Sequence, residues 1–412
     1  MVIGWLTCIP RSLLPLLLCR FTTANAPANR QMPIASVVSG KCKKIKNDRI
    51  KHVKLSESSI FTDKILKKNK MTKFQNNSLK SAKALKNDEF YTELSDIEKE
   101  LRHYKKEFHG KTIFCNCDDP RISNFFHFFS YNFENFGLKK LITTCYKNQD
   151  RDLFSNHNSE KAIYLEYNGD KNGDKVPNPE EIGIHDLKGD GDFRSQESIE
   201  LLNQSDIVVT NPPFSLFREY VSQLIEFNKK FLIIGNKNAI TYKECFQLIK
   251  ENKMWVGVTP MSTDMLFDVP LDYSKVLTET KKEGSGYKIV NGKVKARAQA
   301  IWFTNIDNRK RHEDIILYKT YNPNEFPKYD NYDAINVDKT KDIPMDFTGV
   351  MGVPISFLDK YNPDQFEILG MASSAGYNAE IVGIPFMGDK DARPIVNGIN
   401  TFARVFIKNK RI

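Results

Sequence analysis

The sequence predicts an α/β fold with a doubly wound, mostly parallel β-sheet. From about residue 88, short apolar runs alternate with amphipathic stretches of helical periodicity. The run Ile207-Val208-Val209 is continuous and β-branched, as expected for a central parallel strand that is covered on both faces. Strands separated by helices join through right-handed crossovers into such a sheet. A chain of 412 residues with 40% hydrophobic content suffices for one large domain and a smaller region.

Each element follows from a local pattern. Ser95 and Glu98 form a capping-box pattern, and apolar residues repeat at helical spacing after it, which predicts a helix over 95–109. In chain order we then expect a strand at 111–117, a helix at 122–133, a strand at 139–146, a helix at 196–204, the strand at 207–209, a helix at 215–228, a strand at 230–236, a helix at 240–252, a strand at 254–258 and a last strand at 298–306. Residues 259–297, which contain Gly-rich turns, are interpreted as an insertion before that last strand.

The charge distribution divides the chain. Residues 1–87 contain 18 Lys and Arg but three acidic residues, whereas residues 88–412 contain 43 Lys and Arg and 48 Asp and Glu. We therefore predict a basic, disordered N-terminal extension (1–86), a catalytic domain (87–306) and a C-terminal region (307–412). A basic arm suits an anionic partner such as nucleic acid, although a solvated tail explains the same composition equally well.

The N-terminal composition leaves two interpretations open. Residues 1–47 contain no acidic residue and include the pattern Ala24-Asn25-Ala26, which resembles a signal-peptidase site. Secretion is disfavoured, because Arg11 interrupts the apolar region and the uninterrupted apolar run is too short to span a membrane. An organelle transit peptide and an upstream extension without function both fit. Seven cysteines, an odd number, favour a reducing compartment, so we expect a cytoplasmic location.

The tetrapeptide Asn211-Pro212-Pro213-Phe214 follows the predicted central strand directly. Ligands bind at the carboxyl ends of the strands in such sheets, so the tetrapeptide lies where chemistry is expected. A strand-terminating turn would explain one proline, but not two prolines followed by an aromatic residue.

The tetrapeptide suits methylation of a planar amino group. The exocyclic nitrogen of adenine is a poor nucleophile, because its lone pair is delocalised into the ring. The Asn211 side-chain oxygen and the Pro212 carbonyl can each accept an N–H bond and draw that nitrogen toward tetrahedral geometry. A proline has a fixed φ and brings no competing donor. The Phe214 ring can stack on a base that has left the duplex.

At the level of longer segments, the sequence resembles the EcoRI-type adenine-specific DNA methyltransferases, which use S-adenosylmethionine. Blocks that resemble this family extend from about Lys86 to Phe366 in the family's order: "KNDEFYTELSDIEKEL", "CNCDDPRISNFF", "GDGDFRSQESIELL", "SDIVVTNPPFSLFREY", "KFLIIGNKNAITYKE", "KYDNYDAINVDKTKDIP" and "GVMGVPISFL". The resemblance implies a Rossmann-like S-adenosylmethionine-dependent fold and a C-terminal target-recognition region.

The same resemblance implies roles for particular residues. Phe90, Tyr91 and Thr92 match the segment over the methionine end of the cofactor. Asp118 and Asp119 follow the first strand, where a carboxylate usually holds the cofactor's amino group, and turn or cap roles remain open for both.

A second pair of residues matches the adenine end of the cofactor. Asp192 would accept from the adenine N6 and Phe193 would stack on the ring, with a plain Asp/Gly turn as the alternative. The first strand lacks a following Gly-rich loop, and the second lacks an acid at its end, so the ribose ligand stays unassigned.

We therefore predict a monomeric, site-specific adenine-N6 DNA methyltransferase of a restriction-modification system. It would act on a flipped adenine in double-stranded DNA, with S-adenosylmethionine as cofactor and without a metal or a membrane. Two alternatives stay open: an amino-methyltransferase that acts on RNA bases or protein glutamine, and a DNA-binding relative that has lost catalysis.

Overall fold

The computed structural model describes residues 91–117, 123–144, 162–174, 176–178, 180–269, 271–373, 384, 387 and 392–412. These residues belong to one compact unit, which spans 74–412. The predictions for the extension 1–86 lie outside the described residues. Within the described ranges, no helix is both long and apolar enough to cross a membrane.

Helices and strands alternate through the first two thirds of the described chain. The helices are α1 (Leu94–Leu101), α2 (Lys105–Phe108), α3 (Asn124–Tyr131), α4 (Phe133–Phe136), α5 (Gln196–Gln204), α6 (Phe217–Glu226), α7 (Lys243–Lys250) and α8 (Leu271–Thr280). The strands are β1 (Tyr91–Thr92), β2 (Thr112–Cys115), β3 (Lys140–Thr144), β4 (Ile163–Tyr167), β5 (Ile182–Asp186), β6 (Ile207–Thr210), β7 (Lys230–Asn236), β8 (Trp255–Val256), β9 (Met265–Asp268), β10 (Tyr287–Val290), β11 (Lys293–Ala298), β12 (Ala300–Thr304), β13 (Ile335–Asn336), β14 (Met351–Pro354), β15 (Phe366–Ala372), β16 (Ile395–Val396), β17 (Ile399–Asn400) and β18 (Arg404–Asn409).

A central sheet of eight strands has the order β5-β4-β3-β2-β6-β7-β12-β8. The four middle strands β3, β2, β6 and β7 are parallel, whereas β4, β5, β12 and β8 pair antiparallel with their neighbours. These pairings leave six of the eight strands running in one direction, so the sheet is mostly parallel as predicted.

Apolar side chains cover both faces of this sheet. One face contributes Phe114, Ile142 and Val208 to a first core, against which α5, α6 and α7 pack. The other face contributes Ile113 and Val209 to a second core, against which α1 and α3 pack. Alternate residues of the parallel strands therefore enter different cores, and this accounts for their continuous apolar sequences.

Most predicted elements form, and the differences have local causes. The capping box is wrong: α1 begins at Leu94 after Glu93, whose carbonyl accepts from the amides of Asp96 and Ile97 (3.0 and 3.1 Å). Ser95 therefore lies inside the helix. The hairpin of β4 and β5 was not predicted, because β5 lies at the sheet edge and its apolar signal is weak: only Ile182 and Ile184 alternate, and its burial pattern is intermediate to exposed.

Besides the central sheet, the described residues form two four-stranded sheets and the two-stranded sheet of β16 and β17. Strands β1, β9, β11 and β10 form an antiparallel sheet in that order, and they account for much of the predicted insertion. Strands β13, β14, β18 and β15 form a second sheet within the C-terminal region. The C-terminal sheet shares the first core with the central sheet, since Met351 and Ile407 belong to that core.

Candidate active site

The strand order reverses between β2 and β6. From β2 the chain proceeds outward through β3 and β4 on one side, whereas from β6 it proceeds outward through β7 on the other. In open α/β sheets, ligands usually bind beyond the carboxyl ends of the strands at such a reversal. Asn116 follows β2 and Asn211 follows β6 at this edge.

The predicted catalytic tetrapeptide begins directly after β6, as the prolines require. Asn211 is 8% exposed and Pro212 is buried, whereas Pro213 and Phe214 are half-buried. The Pro213 carbonyl accepts from the Leu216 amide (3.0 Å), which closes a 3₁₀ turn over Phe214–Leu216. Phe214 packs at the margin of the second core, and part of its side chain remains accessible.

Strand β1 brings the predicted methionine-end segment to Asn211. The Asn211 Nδ2 atom donates to the Thr92 Oγ1 atom (3.4 Å), and Thr92 is 2% exposed. Asn124 Nδ2 donates to the Thr92 carbonyl (2.7 Å) and fixes that strand against α3. Thr92 and Asn211 are 119 residues apart in sequence, yet the fold brings their side chains into contact.

On the first-core face at the same ends of the strands, Asn116 after β2, Phe193 before α5 and Tyr220 in α6 form a polar and aromatic cluster. Tyr220 in α6 donates its hydroxyl to the Asn116 Oδ1 atom, and both side chains are buried. Burial raises the pKa of Tyr220 well above its ordinary value, so the hydroxyl keeps its proton for this bond. The Phe193 ring meets Tyr220 edge to face, with 5.1 Å between centroids, and is 7% exposed. Sequence inspection missed Asn116 and Tyr220, whose contact spans 104 residues.

Asp192 forms a fork with Arg194. Its Oδ1 atom accepts from the Arg194 amide (2.8 Å) and Nε (2.9 Å), and its Oδ2 atom accepts from Arg194 Nη2 (2.7 Å). These bonds hold the pKa of Asp192 below its ordinary value. Arg194 also donates to Glu219 in α6 (3.1 Å), which ties the Asp192 loop to that helix. The carboxylate is 23% exposed and remains accessible to a further donor.

Two threonine hydroxyls at this edge have no hydrogen-bond partner within the described part of the chain. Thr144 ends β3 and Thr210 ends β6, and both residues are fully buried. When the registers of β2 with β3 and with β6 are extended, Asn116 lies between Thr144 and Thr210. All three side chains then lie in one row on the first-core face. Buried hydroxyls normally find a partner, so these two indicate a position for a polar ligand. Thr144 ends β3, which is the second predicted strand. The sequence has no acidic residue there to bind the ribose of the cofactor.

Some predicted site residues cannot be placed. Phe90, Asp118 and Asp119 lie outside the described residues, and only the backbone of Tyr91 is described, as part of β1 paired to Asp268. Among the described residues, no group of three His, Cys, Asp or Glu side chains is arranged to hold a metal ion.

Comparison with known proteins gives one consistent family. The sequence model described as "Adenine-specific methyltransferase EcoRI" matches residues 78–410. The chain is 49% identical over 339 residues to the Type II methyltransferase M.EcoRI of Escherichia coli, which covers 82% of this chain and 98% of that protein. It is 41% identical over 340 residues to the Type II methyltransferase M.MgeORF184P of Mycoplasma genitalium, covering 80% and 98% of the two chains. It is 39% identical over 294 residues to the Type II methyltransferase M.MpnI of Mycoplasma pneumoniae, covering 70% and 83%. No solved structure matches.

Proposed function

Because the chain belongs to the adenine-specific EcoRI methyltransferase family, we propose that it is a site-specific DNA methyltransferase of a restriction-modification system, which transfers a methyl group from S-adenosylmethionine to the N6 atom of a flipped adenine. The observation that carries the proposal is the position of Asn211. This buried amide is followed by Pro-Pro-Phe at the point where the strand order reverses, and it is bonded to Thr92.

Two acceptor groups of the chain would activate the adenine amino group, because each would accept a hydrogen bond from one of its two N–H groups. Because Asn211 Nδ2 donates to Thr92, the amide orientation is fixed and the Oδ1 atom is presented as an acceptor on the side away from that strand. Pro212 supplies a carbonyl whose direction is restricted by the proline ring. Neutral acceptors suffice, since they need only localise the nitrogen lone pair. Phe214 offers its exposed ring surface to the base.

The residues at the edge of the sheet fit the cofactor. When bound, S-adenosylmethionine supplies a methyl group on a sulfonium centre. Thr144 and Thr210 present partnerless buried hydroxyls that would hold polar atoms of its ribose and methionine parts. Asp192 retains an acceptor position for the adenine amino group, and Phe193 provides the apolar wall behind it.

The reversed strand order also supports a Rossmann-like assignment, because that topology binds nucleotide-containing ligands at the reversal. We further propose that residues 307–412 take part in target recognition. The C-terminal sheet supports this role in one respect: it shares the first core with the catalytic sheet, so it would hold a bound duplex in a fixed relation to Asn211.

The test is the Asn211→Ala variant. We expect it to bind S-adenosylmethionine within about twofold of the parent chain and to lose at least roughly 100-fold in methyl transfer to unmethylated duplex DNA, since one acceptor at the reacting nitrogen is deleted. Asn308→Ala is the matched control, because Asn308 is also 8% exposed but lies at the opposite edge of the sheet, beyond the end of β12. A variant Asn211→Ala that kept most of its methyl transfer would contradict the proposed mechanism.

Parallel assays separate the alternatives. Labelled cofactor is supplied with duplex DNA, ribosomal RNA or protein substrate, and label in the adenine of DNA alone supports the proposal. Label in RNA or in glutamine would move the chain to another amino-methyltransferase class. Binding of DNA without any transfer would identify an inactive relative.

A further inference from the structure

We propose that the hairpin of β10 and β11, together with the turn before it, contacts the phosphate backbone of the DNA duplex beside the flipped adenine. This inference rests on the proposed function and assigns a role to the segment 281–298. Sequence inspection interpreted that segment only as part of an insertion. The proposal stands on three observations: a connection to Asn211 by continuous β-pairing, a local excess of positive charge, and lysines that form no ion pair with any residue that the structure describes.

The hairpin is connected to the catalytic edge by continuous β-pairing. Thr92, which accepts from Asn211, pairs with Phe267 in β9. Strand β9 pairs in turn with β11, and β11 pairs with β10 over four residue pairs. With strands about 4.8 Å apart, β10 lies roughly 14 Å from β1. That distance is less than half of one DNA helical turn of about 34 Å, so the hairpin is within reach of a duplex whose adenine lies at Asn211.

The turn at the tip is well defined. Asn291 and Gly292 both have positive φ (51° and 76°), and they connect Val290 directly to Lys293. Two consecutive positive φ values are typical of the two-residue type I′ turn, whose twist matches that of the flanking strands. Both turn residues are exposed, so the tip projects into solvent as an ordered ribbon.

Positive charge is concentrated here. Residues 281–298 contain six Lys and Arg and one acidic residue, Glu283, whereas residues 88–412 as a whole contain more acidic than basic residues, 48 against 43. A basic segment on an otherwise acidic body is the feature expected where a polyanion binds, because elsewhere the body repels the duplex.

The cations of the hairpin divide into two groups. Toward the base, Lys295 bonds to Glu93 (2.7 Å), and both Arg297 (through Nε, 2.7 Å) and Lys288 (2.6 Å) bond to Asp264. These pairs anchor the ribbon to the body. Arg297 holds the pKa of Asp264 below its ordinary value, so the anchor stays charged.

The second group is directed to solvent. Lys281, Lys282 and Lys293 are exposed and form no ion pair with any described residue. They lie before β10 and after the tip, so they flank the exposed part of the ribbon on both strands. Their charges are therefore available to phosphates. Each phosphate that they neutralise releases counterions from the DNA.

The experiment compares a triple variant with a matched triple variant. In the first, Lys281, Lys282 and Lys293 are replaced by Gln. In the control, Lys106, Lys111 and Lys139 are replaced by Gln. These three are likewise exposed and form no ion pair among the described residues, and Lys111 and Lys139 precede β2 and β3 at the opposite edge of the sheet. Affinity for a duplex is measured over a salt series, and cofactor affinity is measured for each protein to verify folding.

The hairpin variant should flatten the slope of log K against log salt by about 0.9 for each lost phosphate contact, and thus by up to about 2.7 for three. It should also lower duplex affinity, whereas the control should match the parent chain and all three proteins should bind cofactor equally. A hairpin variant with the salt slope of the control would overturn the proposal. If the parent chain methylates DNA, that result removes only the hairpin's role; if the parent chain methylates no DNA, the proposed function itself fails.

Discussion

Asp192→Asn offers a quantitative test of the adenine subsite. Each carboxylate oxygen has two lone-pair positions. Two Arg194 donors occupy both positions of Oδ1, whereas a single Arg194 donor occupies one position of Oδ2. One position on a charged oxygen therefore remains for the amino group of the cofactor's adenine. A hydrogen bond to a charged group contributes about 1.5–3 kcal/mol, so its loss should weaken cofactor binding roughly 10- to 150-fold.

The assay is calorimetric titration of S-adenosylmethionine into the parent chain, Asp192→Asn and Glu219→Gln. Glu219 is the matched control, because it bonds to the other side of Arg194 (3.1 Å) and does not touch Asp192. We expect Glu219→Gln to bind cofactor within about twofold of the parent chain, since the Glu219 side chain is 60% exposed and its ion pair is weak.

Two results would refute this reasoning. An unchanged Kd in Asp192→Asn would mean that Asp192 only holds Arg194. An equal loss in both variants would mean that the orientation of Arg194, and not the carboxylate, determines affinity. The pH dependence gives an independent check. Arg194 lowers the pKa of Asp192. The carboxylate is therefore charged at every pH above the ordinary pKa of about 3.9, and it is protonated only as the pH falls through the lower pKa of the folded protein. Cofactor affinity should therefore show no titration of this group between about pH 5 and 8.

Three further predictions concern the core, the row of threonines and the tail. The fully buried Glu100 carboxylate accepts from the amides of Val258 (2.6 Å) and Thr259 (2.7 Å). Glu100→Gln should therefore lower the free energy of unfolding by roughly 1–3 kcal/mol for each donor left unpaired. An unchanged denaturation midpoint would contradict this prediction. Thr144→Val should leave the free energy of unfolding equal or higher and should weaken cofactor binding about 2- to 12-fold. Denaturation measures the first quantity and calorimetric titration measures the second. Deleting 1–63 should change DNA binding little, whereas deleting 1–86 also removes the eight lysines of 64–86 and should weaken it and flatten its salt dependence; equal slopes for both deletions would leave the tail without a DNA role.

The sequence was sufficient where the signal is local. The strand before Asn211 ends at Thr210, and the predicted strand over 230–236 matches β7 residue for residue. Both are buried on two faces, so burial and β-propensity point to the same structure. The last predicted strand also forms, as β12, but antiparallel to β7. Direction was not predictable from its pattern, because an apolar run carries no information about which way its neighbour runs.

The parts of the site that were missed depend on contacts between distant segments. Nothing near Asn116 in the sequence indicates that it accepts from Tyr220, which occupies an apolar helix face with Phe217 and Val221. Thr144 is similar, since a threonine at the end of a strand is an ordinary residue until its hydroxyl is seen to be buried without a partner. Local motifs identify catalytic groups that are contiguous in the chain, whereas binding groups assembled across strands become recognisable only in the fold.

The alternation of side chains across the sheet separates the two tasks of the site. Asn211 continues the face of Val209 and meets Thr92 on the side of the second core. Thr210 continues the face of Val208 on the side of the first core. Thr144 and Thr210, which are proposed to hold the cofactor, therefore lie on the first-core face, whereas Asn211, which is proposed to hold the base, lies on the second-core face beside Thr92 of the methionine-end segment. The proposed reaction requires the methyl group and the amino group to meet beyond the carboxyl ends of the adjacent strands β2 and β6. For that reason a substitution on one face should alter cofactor Kd without altering base positioning, and additivity of Thr144→Val with Asn211→Ala in cofactor binding would be the expected result.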